Sequence, residues 1–162
     1  MVKLRIVFLR ASTLIRSVLV AVDGSENSDR ALDFALDLAE KFGASMTILN
    51  VSESLAMSAV PQESANYPSS NTAAFAKDLR AIQNEIVSKD LDHARSVKPN
   101  LPVSSILKEG DAALEIVNTA KAGEFDVIVV GHRGLSNLRE RLLGSISEKV
   151  AHNAPCPVVI VK

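Results

Sequence analysis

Asp126-Val127-Ile128-Val129-Val130-Gly131-His132-Arg133-Gly134-Leu135-Ser136-Asn137-Leu138-Arg139-Glu140-Arg141-Leu142-Leu143-Gly144-Ser145 is the stretch that decides the fold. Its first five residues form an apolar run that reads as a fully buried parallel strand. A glycine pair leaves the carboxyl end of that strand. Gly144 then opens a short amphipathic pattern over residues 146–152, which reads as a helix. In open α/β sheets ligands bind at such strand ends. Glycines allow backbone N–H groups to approach a ligand, and a helix N-terminus adds unpaired donors and partial positive charge. An anion, phosphate above all, is the natural guest. The plain alternative is that Gly131, Gly134 and Gly144 merely permit tight turns, with Ser145 and Glu148 forming a capping box.

Outward from this stretch, the chain alternates strands and helices. Residues 16–22 form a first strand, and residues 23–28 form a turn rich in N-capping side chains. Ala31, Ala35, Leu38 and Phe42 fall on one helix face, closed by Gly43. Residues 45–51 are a second strand. Residues 52–71 lack any period and read as a long loop. Phe75, Leu79, Ile82, Ile86, His93 and Val97 mark a long helix, stopped by Pro99. On this reading His93 is a packed residue at the edge of the apolar stripe. A third strand (103–108), a third helix around Ala113, Ile116, Val117 and Ala120, and a last strand Val158–Val161 complete five strands and four helices. An open parallel sheet covered on both faces follows.

Composition narrows the function. With 162 residues, 47% hydrophobic and 23% charged, the chain suits one domain. A net charge of −1 gives no general attraction to nucleic acid or an anionic membrane, and the lack of Trp with a single Tyr argues against base stacking. Cys156 is the only cysteine, so no intramolecular disulfide forms; it reads as a small buried filler, consistent with a reducing cytoplasm. No apolar run reaches the roughly 18 residues of a membrane span. Residues 1–15 read as an N-terminal extension to a domain over 16–162. Arg5 and Arg10 break its apolar stretch too early for a signal peptide. An extra strand, a loose tail and residues ahead of the true start all remain open for it.

Gly131-x-x-Gly134, nine residues, then Gly144-Ser145 resembles the nucleotide-binding signature of the ATP-binding branch of the universal stress proteins. The opening Val18-Leu19-Val20-Ala21-Val22-Asp23-Gly24-Ser25 and the closing Pro155-Cys156-Pro157-Val158-Val159-Ile160-Val161 are similar to that family too. The resemblance implies a single-domain Rossmann-like sheet of order 3-2-1-4-5, which brings Asp23 and Gly131 to one crevice. It also implies a ligand, ATP with AMP as the alternative, and Mg²⁺ held mainly by the phosphates. Backbone groups around Gly131, Gly134, Gly144, Ser145 and Ile146 would hold the phosphates, with the Ser145 hydroxyl a further donor. His132 and Arg133 lie inside the loop and Arg139 and Arg141 beside it. Asp23 would accept from a ribose hydroxyl, Ala21 and Val22 would line the same wall, and the Val51 backbone would read the adenine edge. The last strand would pair antiparallel with its two-fold mate in a homodimer.

Other chemistries lack their signatures. There is no G-x-x-x-x-G-K-[ST], no G-x-G-x-x-G after the first strand, no G-x-S-x-G and no H-E-x-x-H. No side chain is placed by sequence as a catalyst or a metal ligand. The expectation is a nucleotide-binding regulatory protein of stress response rather than an enzyme. A slow ATPase of the same fold and a nucleotide-independent interaction protein are its alternatives.

Overall fold

The computed structural model describes residues 14–52, 70–134 and 143–162. Within them the chain runs β1 (Ser17–Val22), α1 (Glu26–Phe42), β2 (Ser45–Ser52), α2 (Ser70–Val97), β3 (Val103–Glu109), α3 (Ala112–Ala122), β4 (Val127–Gly131), α4 (Ser145–Asn153) and β5 (Val158–Val161). The five strands form one parallel sheet of order β3-β2-β1-β4-β5. The expected fold is therefore the observed one. β1 lies between β2 and β4, so the order reverses there and a crevice opens at its carboxyl end.

Alternation along β1 sends Val18, Val20 and Val22 to one face and Leu19 and Ala21 to the other. The first face packs on α1 and α2 through Ala31, Leu32, Ala35, Leu36 and Ala94. The second packs on α3 and α4 through Ala113, Ile116, Ala120 and Val150. Leu19, Ile48, Leu49 and Ile128 are fully buried, each stabilising the fold by about 1.5–3 kcal/mol.

Local chemistry sets the element ends. Ser25 caps α1, its Oγ accepting from Ser28 N at 3.2 Å, so the helix begins inside the expected turn at 23–28. Gly43 closes it at φ 63°, a left-handed conformation that favours glycine. Asp126 lies before β4 rather than in it. Its Oδ2 accepts from Arg16 N at 2.8 Å, Ser17 N at 3.0 Å and Ser17 Oγ at 3.1 Å, which fastens the starts of β1 and β4 together. Desolvation pushes that carboxyl up, but these donors outweigh it and hold it below its ordinary value.

The long helix departs most from expectation. Its buried face carries Gln83, Val87, Asp90 and Ala94, whereas Ile82, His93 and Val97 are exposed. His93 is therefore not a packed stripe residue: its Nε2 meets Asp33 Oδ1 at 2.7 Å across the gap to α1. Phe42 also lies outside the core, 42% exposed. The expected loop at 52–71 ends in helix at Ser70, and its residues 53–69, like residues 1–13, lie outside the described residues.

Candidate functional site

The crevice is built from three strand ends and one helix start. β1 finishes at Ala21 and Val22, and Asp23 follows in a tight turn, its Oδ1 accepting from Ser25 N at 3.0 Å. Gly24 completes the turn at φ 79°, with its Cα facing Ile86 of α2; a Cβ there would lie 3.2 Å from Ile86 Cδ1. β4 finishes at Gly131, backed against the first turn of α1, where a Cβ would come within 2.9 Å of the Asn27 backbone.

Gly134 then brings the loop onto the turn after β1: a Cβ on it would overlap Asp23 Oδ2. Gly144 N donates to His132 O at 2.8 Å, so α4 starts directly against the loop. His132 N in turn donates to Val161 O at 2.7 Å, extending the β4–β5 ladder. Ser147 Oγ donates to Gly131 O at 2.7 Å and fixes the first turn of α4 to the end of β4.

Gly131, Gly134 and Gly144 do not adopt positive φ angles. They are close-approach glycines rather than turn glycines. The capping box is also overturned. Gly144, not Ser145, is the N-cap of α4, and no side-chain cap bond forms there among the described residues. Ser145 and Ile146 occupy its exposed first turn, whose N–H groups lie where a helix leaves donors unpaired.

The placement of the other expected residues is mixed. Val51, at the end of β2, and Ala21 pack on the α3–α4 face of the sheet. Val22 is buried on the opposite face, so its side chain does not share a wall with Ala21. His132, Arg133 and Gly134 are half-buried; His132 Nδ1 has no hydrogen-bond partner among the described residues. Arg139 and Arg141 lie outside the described residues. An open cavity of about 410 Å³ lies elsewhere, between α2 and β3, lined by Arg80, Gln83, Asn84, Leu107, Lys108 and Glu109. None of the expected residues borders it.

A family model described as the universal stress protein family matches residues 15–162. The chain belongs to the universal stress protein family. Among relatives, the universal stress protein YxiE of Bacillus subtilis is 34% identical over 151 residues, spanning 92% of this chain and all of the relative. Among solved structures, UspA from Lactobacillus plantarum superposes with a TM-score of 0.75 at 21% identity, covering 93% of this chain and 100% of that one; this likeness shows the fold. A universal stress protein crystallised in complex with cAMP superposes at 0.67 with 26% identity, covering 93% and 99% of the two chains.

In this universal stress protein, sequence reasoning missed two residues beside the crevice. Asn50 and Gln83 are both buried. Asn50 Nδ2 donates to Val22 O at 2.9 Å, and Gln83 Nε2 donates to Asn50 Oδ1 at 3.0 Å and to Lys108 O at 3.2 Å. They tie the ends of β1, β2 and β3 to α2. An asparagine inside the apolar run Ile48-Leu49-Asn50-Val51 was the available signal, because a buried amide must find partners. Cys156 is half-buried, and burial followed by the nearby Asp126 charge pushes its thiol up to about 11. That leaves it protonated and unreactive at neutral pH. No cluster of three or more metal-ligating side chains occurs among the described residues.

Proposed function

We propose that this universal stress protein binds an adenine nucleotide in the crevice between the Asp23 turn and the 131–145 loop, and acts as a nucleotide-responsive regulatory module. The observation that carries the reading is the start of α4, without a side-chain cap among the described residues, held against glycines that close on the Asp23 carboxylate. The residues fit such a ligand. The first turn of α4 offers backbone donors and positive dipole to phosphate, and the Ser145 hydroxyl is exposed beside them. Gly131, Gly134 and Gly144 keep the loop too close for side chains, so backbone rather than bulk borders the space. Asp23, at the end of β1, is the acceptor suited to a ribose hydroxyl.

ATP is the ligand this arrangement favours, with AMP as the alternative and Mg²⁺ carried by the phosphates. Binding by backbone groups at Val51 would select adenine through its edge. The cAMP complex of a 26% identical relative supports an adenine ligand of this class. The chain's own groups bind and orient; the reading requires no turnover. A homodimer through the β5 edge and a cytoplasmic location complete it. No helix among the described residues is long and apolar enough to cross a membrane.

Calorimetric titration of nucleotide-free protein tests the reading. Mg-ATP should bind saturably and Mg-GTP should not. Asp23→Ala should weaken ATP about tenfold or more, the cost of one hydrogen bond to a charged acceptor. Absence of ATP binding by the wild type would end it.

A further inference from the structure

Asp90 is the one carboxylate in the described residues that the core encloses: it is 3% exposed, and its Oδ2 has no hydrogen-bond partner among those residues. It lies on the buried face of α2, between Val87 and Ala94. The surrounding charges are arranged as a seam. α2 and α1 run side by side, joined by Lys89 Nζ to Asp29 Oδ2 at 3.3 Å, His93 Nε2 to Asp33 Oδ1 at 2.7 Å, and Lys98 Nζ to Asp37 Oδ1 at 3.0 Å.

Asp29 faces Asp90 from α1 as a like charge, while Lys89 and His93 flank it on its own helix. On the sheet side, β1 and β2 present apolar residues and Asn50, none of which ionises. Glu109, which ends β3, is held by Arg80, which lies on α2 well before Asp90. The buried carboxyl thus faces one like charge across the seam, and its Oδ2 receives no donor among the described residues.

We propose that Asp90 is a proton-sensing residue that sets how closely α2 clasps α1 and the turn carrying Asp23, close when its carboxyl is neutral and loosened when it is ionised. Burial, then Asp29, raise that carboxyl from 3.8 to about 6. The change therefore falls in a range that cells traverse. A neutral Asp90 costs little to bury and does not repel Asp29. An ionised one carries a charge whose Oδ2 lacks a donor among the described residues and pushes on Asp29, one turn into α1. Neutralising Asp90 therefore closes the seam as pH falls.

The path to the crevice is short. Ile86, one turn before Asp90 on α2, is the side chain that supports Gly24. Regulation of ligand binding through this contact rests on the nucleotide reading above; the seam switch does not.

The direction of the pH effect follows from linkage. A carboxyl whose folded pKa is raised contributes stability that is fully present below its unfolded pKa, 3.8, and is lost as pH rises through about 6. The test is the thermal midpoint of the full chain without nucleotide, from pH 4.5 to 7.5, for the wild type and Asp90→Asn. At pH 7.5 the variant should melt roughly 5–10 °C above the wild type. The gap should shrink to less than half by pH 4.5, where the wild-type carboxyl is neutral too. A gap that stays constant with pH, or a variant less stable at pH 7.5, overturns the proposal. Carboxyl ¹³C NMR of wild-type Asp90 reads the same switch without mutation: a midpoint near 6 supports it, and one below 4.5 overturns it. Nucleotide is absent throughout, so the result stands apart from whether ATP binds.

Discussion

One methyl group at Gly134 would decide where the Asp23 carboxylate sits. A Cβ there overlaps Asp23 Oδ2, so alanine forces the carboxylate away from the position in which its other oxygen holds Ser25 N. Gly134→Ala should lower the thermal midpoint by only a few degrees, because one strained contact costs about 1–3 kcal/mol. Its effect on ATP affinity, read by calorimetry, should be larger, about tenfold or more; unchanged affinity would remove Asp23 from the ligand. At this scale the sequence was legible where a residue sits at a strand end. Asp23 and the glycines were visible for that reason. Asn50, Gln83 and Asp90 were not, since a buried polar residue shows no pattern until its neighbours are known. Gly131, Gly134 and Gly144 were visible, but their physical role differed from the turn reading. They serve close approach, which depends on what lies opposite.

Among the elements, β1 and β4 were legible because strands buried on both faces are continuous apolar runs. α2 was placed as a helix correctly and its apolar stripe only in part, since Ile86 packs on the core as expected. Its apolar residues Ile82 and Val97 face out, while Gln83 and Asp90 face in. Amphipathic periodicity assumes polar residues point to water, and this helix spends two inward positions on an amide network and a lone carboxyl. α4 is legible in the same partial way. Its position was readable, but its cap was not, because Ser145 and Glu148 have capping spacing while backbone geometry gives the N-cap to Gly144. Ser147, not Ser145, is the serine that fastens α4 to β4. Ser147→Ala removes a buried 2.7 Å bond to Gly131 O and should cost about 1–2 kcal/mol, lowering the thermal midpoint by roughly 2–6 °C. Ser145→Ala, at an exposed position, should leave the midpoint of the nucleotide-free protein unchanged. Equal effects from the two would contradict this division of labour.

For the whole molecule, the strand order came from family resemblance, since periodicity carries no information about which strands are neighbours. The order β3-β2-β1-β4-β5 leaves β5 at one edge. Ile128 N donates to Pro157 O and His132 N to Val161 O, so by alternation the backbone groups of Val158 and Ile160 face outward. Val158→Pro removes an outward donor and keeps the bonds to β4, a position where an edge strand tolerates proline. If β5 pairs with a second copy, sedimentation should show monomers for this variant and dimers for the wild type; a variant that still dimerises would place the interface elsewhere. The adenine site itself shows in the thermal midpoint of nucleotide-free protein with Mg-ATP, AMP or Mg-GTP. Ligand at about a hundred times its Kd stabilises by roughly 2.7 kcal/mol, which for a domain of this size raises the midpoint by about 5–10 °C. An adenine site gives that rise with ATP, or with AMP, and none with GTP; a midpoint unmoved by every adenine nucleotide would rule the site out.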